Sequence, residues 1–345
     1  MAQPPVSNQP QEQRVTEFVS SYQALRAEVG KIIVGHADVV GQVLVGLFAG
    51  GHVLLEGVPG LAKTLLIKTL AESLELTFSR IQFTPDLMPG DIIGTNIIVE
   101  DAQARKHFQF QRGPIFGHIL LADEVNRATP KTQSALLEGM QEGAVTVSGA
   151  AHPLPSPFFV LATQNPIEME GTYPLPEAQL DRFLFKLRVR YPALEELTEI
   201  IDRTTHVRQV EVRRVLTGAQ VLAMRELVRE IPIASHVRDL ASFIVLGTHP
   251  QWEGAPEATR RFIRYGASPR GAQALVLGSK VRAISEGRFN VSVDDLRATA
   301  LPALRHRLIL NFEGEAEGID VDDLIGQIVE NAESRSGSGK EVFLR

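Results

Sequence analysis

The feature that most constrains the fold is a short apolar run, Val53-Leu54-Leu55-Glu56, followed at once by Gly57, Val58, Pro59, Gly60, Leu61, Ala62, Lys63, Thr64 and Leu65. A strand, a glycine-bearing loop and a helix in that order can cradle phosphate. The loop turns backbone N–H groups inward, the lysine reaches the outer phosphates, the hydroxyl serves Mg²⁺, and the helix N-terminus faces the anion. Ala62 stands where the common pattern has its last glycine, a departure tolerable only at negative φ.

Such an opening implies alternating strands and helices downstream. Further β-rich runs occur at Phe78 to Phe83, His118 to Asp123, Phe158 to Thr163 and Phe183 to Val189. Helix-like segments occur at Asp38 to Ala49, Lys63 to Leu74, Lys131 to Gln141 and Ala178 to Arg182. The order predicts βαβ units and a five-stranded parallel sheet, an α/β fold. Two insertions interrupt it. One, about 84–112, carries the β-branched Ile97-Ile98-Val99-Glu100; the other, about 144–157, carries Val145-Thr146-Val147 before Ser148-Gly149 and reads as a hairpin. Insertions of this length are usually functional.

After Tyr191-Pro192 the strand signal fades into amphipathic segments near 193–207, 217–230, 235–247, 269–286 and 292–305, which predicts a smaller all-α second domain. The expected division is a disordered tail at 1–15, an α/β nucleotide-binding domain at 16–190, a helical domain at 191–330 and a flexible tail at 331–345. Gly337 to Lys340 resembles a second phosphate loop but follows no strand, and falls in that tail.

Composition removes several chemistries. No cysteine occurs among the 345 residues, which excludes disulfides, thiolate metal sites and a cysteine nucleophile. The nine histidines are never closer than eleven residues, so no His-x-x-x-His metal signature exists. With 35 Lys and Arg against 41 Asp and Glu, the net charge of −6 gives no bulk field for nucleic acid. The apolar stretch from Val39 to Leu55 is broken by Gln42, Gly50-Gly51 and His52, too short to span a membrane. A polar N-terminus without a signal pattern adds the expectation of a cytoplasmic protein.

Two further strand ends carry chemistry. Ile119-Leu120-Leu121-Ala122 ends in Asp123 and Glu124: the first carboxylate suits water-mediated Mg²⁺ binding, the second suits polarising an attacking water. Phe159-Val160-Leu161-Ala162-Thr163-Gln164 leads to Asn165-Pro166, where Asn165 can orient a water or a γ-phosphate oxygen. Arg182 and Arg270 are candidate γ-phosphate cations.

At these residues the sequence resembles the MoxR-type AAA+ ATPases, of the magnesium-chelatase-like helix-2-insert group. The resemblance rests on 57–64 including Ala62, Leu121 to Arg127, Lys131 to Glu138, Ala162 to Pro166 and Leu175 to Phe183, and runs from about Ile33 to about Leu308. It implies a P-loop AAA+ core followed by a helical lid, with ATP and Mg²⁺ as cofactors. Lys63 and Thr64 become phosphate and magnesium contacts, Asp123 the magnesium-side acid, Glu124 the base and Asn165 the first sensor. Arg182 becomes a finger reaching a neighbouring subunit, and Arg270 the second sensor. The resemblance further implies a hexameric, chaperone-like ATP hydrolase acting on protein clients beside a separate von Willebrand factor A domain protein, with the insertions available for client contact. Neither nucleic-acid binding nor membrane insertion is expected. The alternatives are a nucleic-acid motor, a P-loop kinase and a nucleotide-dependent scaffold with little turnover.

Overall fold

The computed structural model describes residues 10–58, 63–100, 104–166, 172–205 and 211–338. Helices α1 (Gln11–Ile32) and α2 (Ala37–Ala49) lead into β1 (Val53–Glu56), α3 (Lys63–Ser73) and β2 (Phe78–Gln82). The first insertion follows as α4 (Pro89–Ile93), β3 (Gly94–Glu100) and β4 (Lys106–Arg112). Then come β5 (Ile119–Asp123), α5 (Pro130–Glu142), β6 (Ala144–Val147), β7 (Ala150–Pro153), β8 (Phe159–Gln164), α6 (Glu177–Leu180) and β9 (Phe185–Arg188).

Strands β1, β2, β5, β8 and β9 form one parallel sheet in the order β2-β5-β8-β1-β9. Alternation explains why the inner strands β5, β8 and β1 read as continuous apolar runs, whereas the edge strands β2 and β9 carry polar residues along their length. Val53 and Leu55 bury toward α1, α2 and the C-terminal helices, whereas Leu54 buries toward α5 with Leu120, Val160 and Ala162. A strand covered on both faces has no position left for a polar residue until its end. The polar residues therefore gather beyond the C-terminal edge of the sheet, where Asp123, Glu124 and Asn165 stand.

His52, just before β1, ties the other edge together. Its Nδ1 accepts from the Val160 N–H at 3.0 Å and its Nε2 bonds the Met140 carbonyl at 3.1 Å, which places the proton of the neutral ring on Nε2. Burial pushes its pKa down to about 4. The unfolded ring binds a proton near pH 6.5 while the folded one does not, so His52 destabilises the fold as pH falls from about 6.5 towards 4. Urea unfolding is expected to show His52 withdrawing about 2 kcal/mol between about pH 7.5 and about pH 5, with a shallower pH slope in His52→Gln. An unchanged slope in that variant would assign the acid sensitivity elsewhere.

Beyond β9 the chain is helical: α7 (Leu194–Thr205), α8 (Gly218–Glu230), α9 (Ser235–Gly247), α10 (Glu257–Phe262), α11 (Pro269–Ser285), α12 (Val293–Leu304), α13 (Phe312–Ala316) and α14 (Val321–Ser338). A short ribbon, β10 (Ile263–Tyr265) with β11 (Ile309–Leu310), accompanies them. Close approach matters at Gly278 in α11, where a Cβ would lie 2.6 Å from both Phe185 and Thr299.

Three expectations change. The tail expected at 1–15 is helical from Gln11, with Val15 only 2% exposed, because Val15, Phe18, Tyr22, Leu25 and Val29 alternate three and four apart and bury one stripe. The tail expected at 331–345 is helical to Ser338 for the same reason: Leu324, Ile325, Ile328, Val329 and Ala332 bury one face of α14. In the insertion, the run at 97–100 has a partner that was not among the expected strands, since Lys106–Arg112 pairs with it antiparallel. The expected hairpin at 144–157 is present as β6 and β7, with Ser148 and Gly149 at φ 51° and 82°.

Candidate functional site

The loop after β1 leaves the sheet between its neighbours. The Gly57 N–H bonds the Gln164 carbonyl, and a Cβ on Gly57 would press on Val189 at 3.0 Å, so a side chain there would need Val189 to give way where β1 passes the end of β9. Pro59, Gly60, Leu61 and Ala62 lie outside the described residues. Val58 precedes them, and Lys63, Thr64 and Leu65 follow in the first turn of α3. Lys63 Nζ turns back to the Gly57 carbonyl at 2.7 Å. Burial pushes its pKa down, while the charges of Asp123 and Glu124 push it up. Lysine and both carboxylates thus share one electrostatic neighbourhood. Ile33, His36, Val39 and Val189 line a small hollow against Lys63.

The two acids are held by residues that sequence reasoning passed over. Thr163, fully buried at the end of β8, donates its hydroxyl to Asp123 Oδ1 at 2.7 Å and accepts the Glu124 N–H at 2.9 Å. Arg80 pairs with Asp123 Oδ2 at 2.7 Å, and Gln82 donates to Glu124 Oε2 at 3.0 Å. Arg127 lies 3.2 Å from the same Glu124 oxygen. The missed signal is the period of two in β2: Arg80 and Gln82 share a face, and register sets Gln82 beside Asp123. Glu124 itself sits at φ 57°, a left-handed conformation costing a non-glycine residue about 1–3 kcal/mol. The surrounding bonds hold that strain where a carboxylate leaves the strand.

Asn165 is buried just beyond β8, its carbonyl accepting from Asn126 Nδ2 at 3.4 Å. Gln133, buried in α5, donates to the Val125, Ala128 and Tyr173 carbonyls and so braces the segment after Glu124.

Arg182 and Arg270 do not join this cluster. Both line a cavity of about 200 Å³ together with Gly51, Leu184 and Arg307. Gly51 precedes β1 and Leu184 precedes β9, so this cavity lies at the N-terminal edge of the sheet, opposite Lys63 and Glu124. Arg182 Nη1 donates to the Leu137 carbonyl at 2.8 Å, and its buried Nε has no partner among the described residues. Arg270, at the exposed start of α11, faces the cavity from the lid. The sequence-derived residues therefore divide into two groups at opposite edges of one sheet.

The arrangement has counterparts among known proteins. Residues 52–185 match the family described as "ATPase family associated with various cellular activities (AAA)", and residues 256–328 match the AAA lid domain. The chain is 44% identical over 303 residues to chaperone MoxR1 of Mycobacterium tuberculosis, covering 88% of this chain and 79% of that one. It is 41% identical to the protein YeaC of Bacillus subtilis, covering 87% and 91% respectively. A crystal structure from Cytophaga hutchinsonii superposes with a TM-score of 0.86 at 41% identity, covering 93% of this chain and 96% of that one.

Proposed function

Because this chain belongs to the MoxR-type AAA+ ATPases, we propose that it hydrolyses ATP at the edge where Lys63, Asp123 and Glu124 meet, and that the hydrolysis drives remodelling of a protein client. The observation that carries this reading is the parallel pairing of β1, β8 and β5, whose C-terminal ends lie along one edge of the sheet with Lys63 opening α3 after β1 and Glu124 strained and held by Thr163, Gln82 and Arg127.

ATP enters with its phosphates against the first turn of α3. Lys63 exchanges its bond to the Gly57 carbonyl for the outer phosphate oxygens. Asn165 orients the γ-phosphate or the water. Glu124 takes the proton as water attacks the γ-phosphorus; the bond from that phosphorus to the bridging oxygen breaks, and ADP and phosphate leave.

Magnesium fits this donor set. A cation that accompanies phosphates needs only one or two protein oxygens. Thr64 would supply a hydroxyl, and Asp123 retains acceptor capacity beyond the bonds from Thr163 and Arg80. When bound, the ion neutralises charge on the phosphates.

Arg182 and Arg270 serve a different nucleotide. From the opposite edge they act on ATP held by an adjacent copy, so the active assembly is a ring, read as hexameric from the family resemblance. The division near residue 190 between nucleotide-binding unit and lid belongs to the same reading. So does a separate von Willebrand factor A domain partner. Client contact falls to the β3–β4 hairpin, where Ile98 and Phe108 are directly paired and 64% and 75% exposed.

Lys63→Ala tests the phosphate assignment. Losing a charge-assisted contact of about 1.5–3 kcal/mol weakens ATP binding roughly ten- to hundredfold by calorimetry with Mg²⁺ present. Wild-type affinity in that variant would place the phosphates elsewhere.

A further inference from the structure

Arg182 and Arg270 come from different parts of the chain, and something must hold them at one spacing. The segment carrying Arg182 is gripped by Arg307, a guanidinium 6% exposed just beyond α12. Its Nε donates to Asp181 Oδ1 at 2.7 Å, its Nη2 to the Asp181 and Phe183 carbonyls at 3.0 and 2.7 Å, and its Nη1 to the Leu184 carbonyl at 3.1 Å and to the Ala303 carbonyl. A single lid side chain thus satisfies the backbone on either side of Arg182.

The Asp181 carboxylate has a second attachment. Ser268 Oγ donates to it, at 3.0 Å from Oδ1 and 2.8 Å from Oδ2. Ser268 is also the N-cap of α11, where the same hydroxyl accepts the Arg270 N–H at 3.1 Å. Asp181 is covalently next to Arg182, and Ser268 fixes the backbone of Arg270. The path from one arginine to the other is two side-chain bonds long.

We propose that Ser268, Asp181 and Arg307 are positioning residues, a clamp that holds Arg182 and Arg270 as one unit for presentation to the neighbouring nucleotide. This rests on the reading of those two arginines given above. None of the three touches the nucleotide held by its own chain, since that site is at the far edge of the sheet. Loosening the clamp therefore slows hydrolysis and spares nucleotide binding. A misplacement of about 1 Å at a reacting centre costs up to roughly a hundredfold in rate.

Ser268→Ala removes the joint without exposing the buried Arg307–Asp181 pair. It is expected to lower kcat for ATP roughly ten- to hundredfold, with the Kd for ATP close to wild type and the melting temperature lowered by no more than the few degrees that loss of a helix cap costs. Ser268→Thr, which keeps a hydroxyl at the cap, is expected to recover most of the rate. Arg182→Ala is measured alongside. A wild-type rate in Ser268→Ala while Arg182→Ala is inactive overturns the clamp and leaves the reading of Arg182 intact. Full activity in Arg182→Ala overturns that reading instead. A parallel loss of ATP affinity in Ser268→Ala, or an equal rate loss in Ser268→Thr, also overturns the clamp.

Discussion

Glu124→Gln is expected to bind ATP as wild type does and to hydrolyse it about 10² to 10⁴ times more slowly, the share a positioned general base supplies. The substitution changes little else. Gln82 donates to Glu124 Oε2 and can donate equally to an amide oxygen, and the left-handed backbone at φ 57° is no harder for glutamine than for glutamate. The Glu124 N–H keeps its bond to Thr163. What is lost is the proton acceptor and the charge facing Arg127, a part-exposed pair that contributes little to stability. Calorimetry for binding and phosphate release for turnover separate the two effects. Normal turnover would mean that another group takes the proton.

Arg182→Ala carries the largest expected effect. A finger supplied from a neighbouring subunit contributes about 10³ to 10⁵ in rate by neutralising charge that develops on the transferred phosphoryl group. Among the described residues the Arg182 side chain makes one hydrogen bond, to the Leu137 carbonyl, of about 0.5–1.5 kcal/mol. Hydrolysis should therefore collapse while stability falls only slightly. ATP affinity should persist, because Lys63 and Asp123 stand at the other edge of the sheet. A loss of binding instead of turnover would make Arg182 a part of its own chain's site.

Much of this fold was legible because a parallel sheet covered on both faces writes itself as apolar runs ending in polar residues. The inner strands β1, β5 and β8 and the acids at the end of β5 follow from that pattern; the edge strands β2 and β9 and the helices at 38–49, 63–74 and 131–141 follow from β-rich runs alternating with helix-like segments. The strand at 106–112 was missed although Phe108-Gln109-Phe110-Gln111 alternates apolar and polar, because only two apolar residues carry the pattern and all but Phe110 of the strand are exposed. Helix α1 was partly hidden by its polar opening, although its three-four spacing was present from Val15 onward. At the site, chemistry-bearing types were visible in the sequence and their supports were not. Thr163 reads as strand, and Arg80 and Gln82 read as the solvent face of an edge strand; only parallel register brings them to Asp123 and Glu124. The separation of Arg182 and Arg270 from Lys63 is likewise a matter of sheet direction, which spacing along the chain does not encode.

The central claim, that each ATP is hydrolysed by residues of two copies, is tested most directly by mixing the two inactive variants. A Glu124→Gln subunit keeps its Arg182, and an Arg182→Ala subunit keeps its Glu124. Co-assembled rings would contain some sites with both groups intact, although neither pure variant has any. Phosphate release from mixtures shown by mass to have co-assembled should rise well above that of either component, to a maximum at comparable amounts of the two. Co-assembled mixtures that stay as inactive as their components would contradict the account.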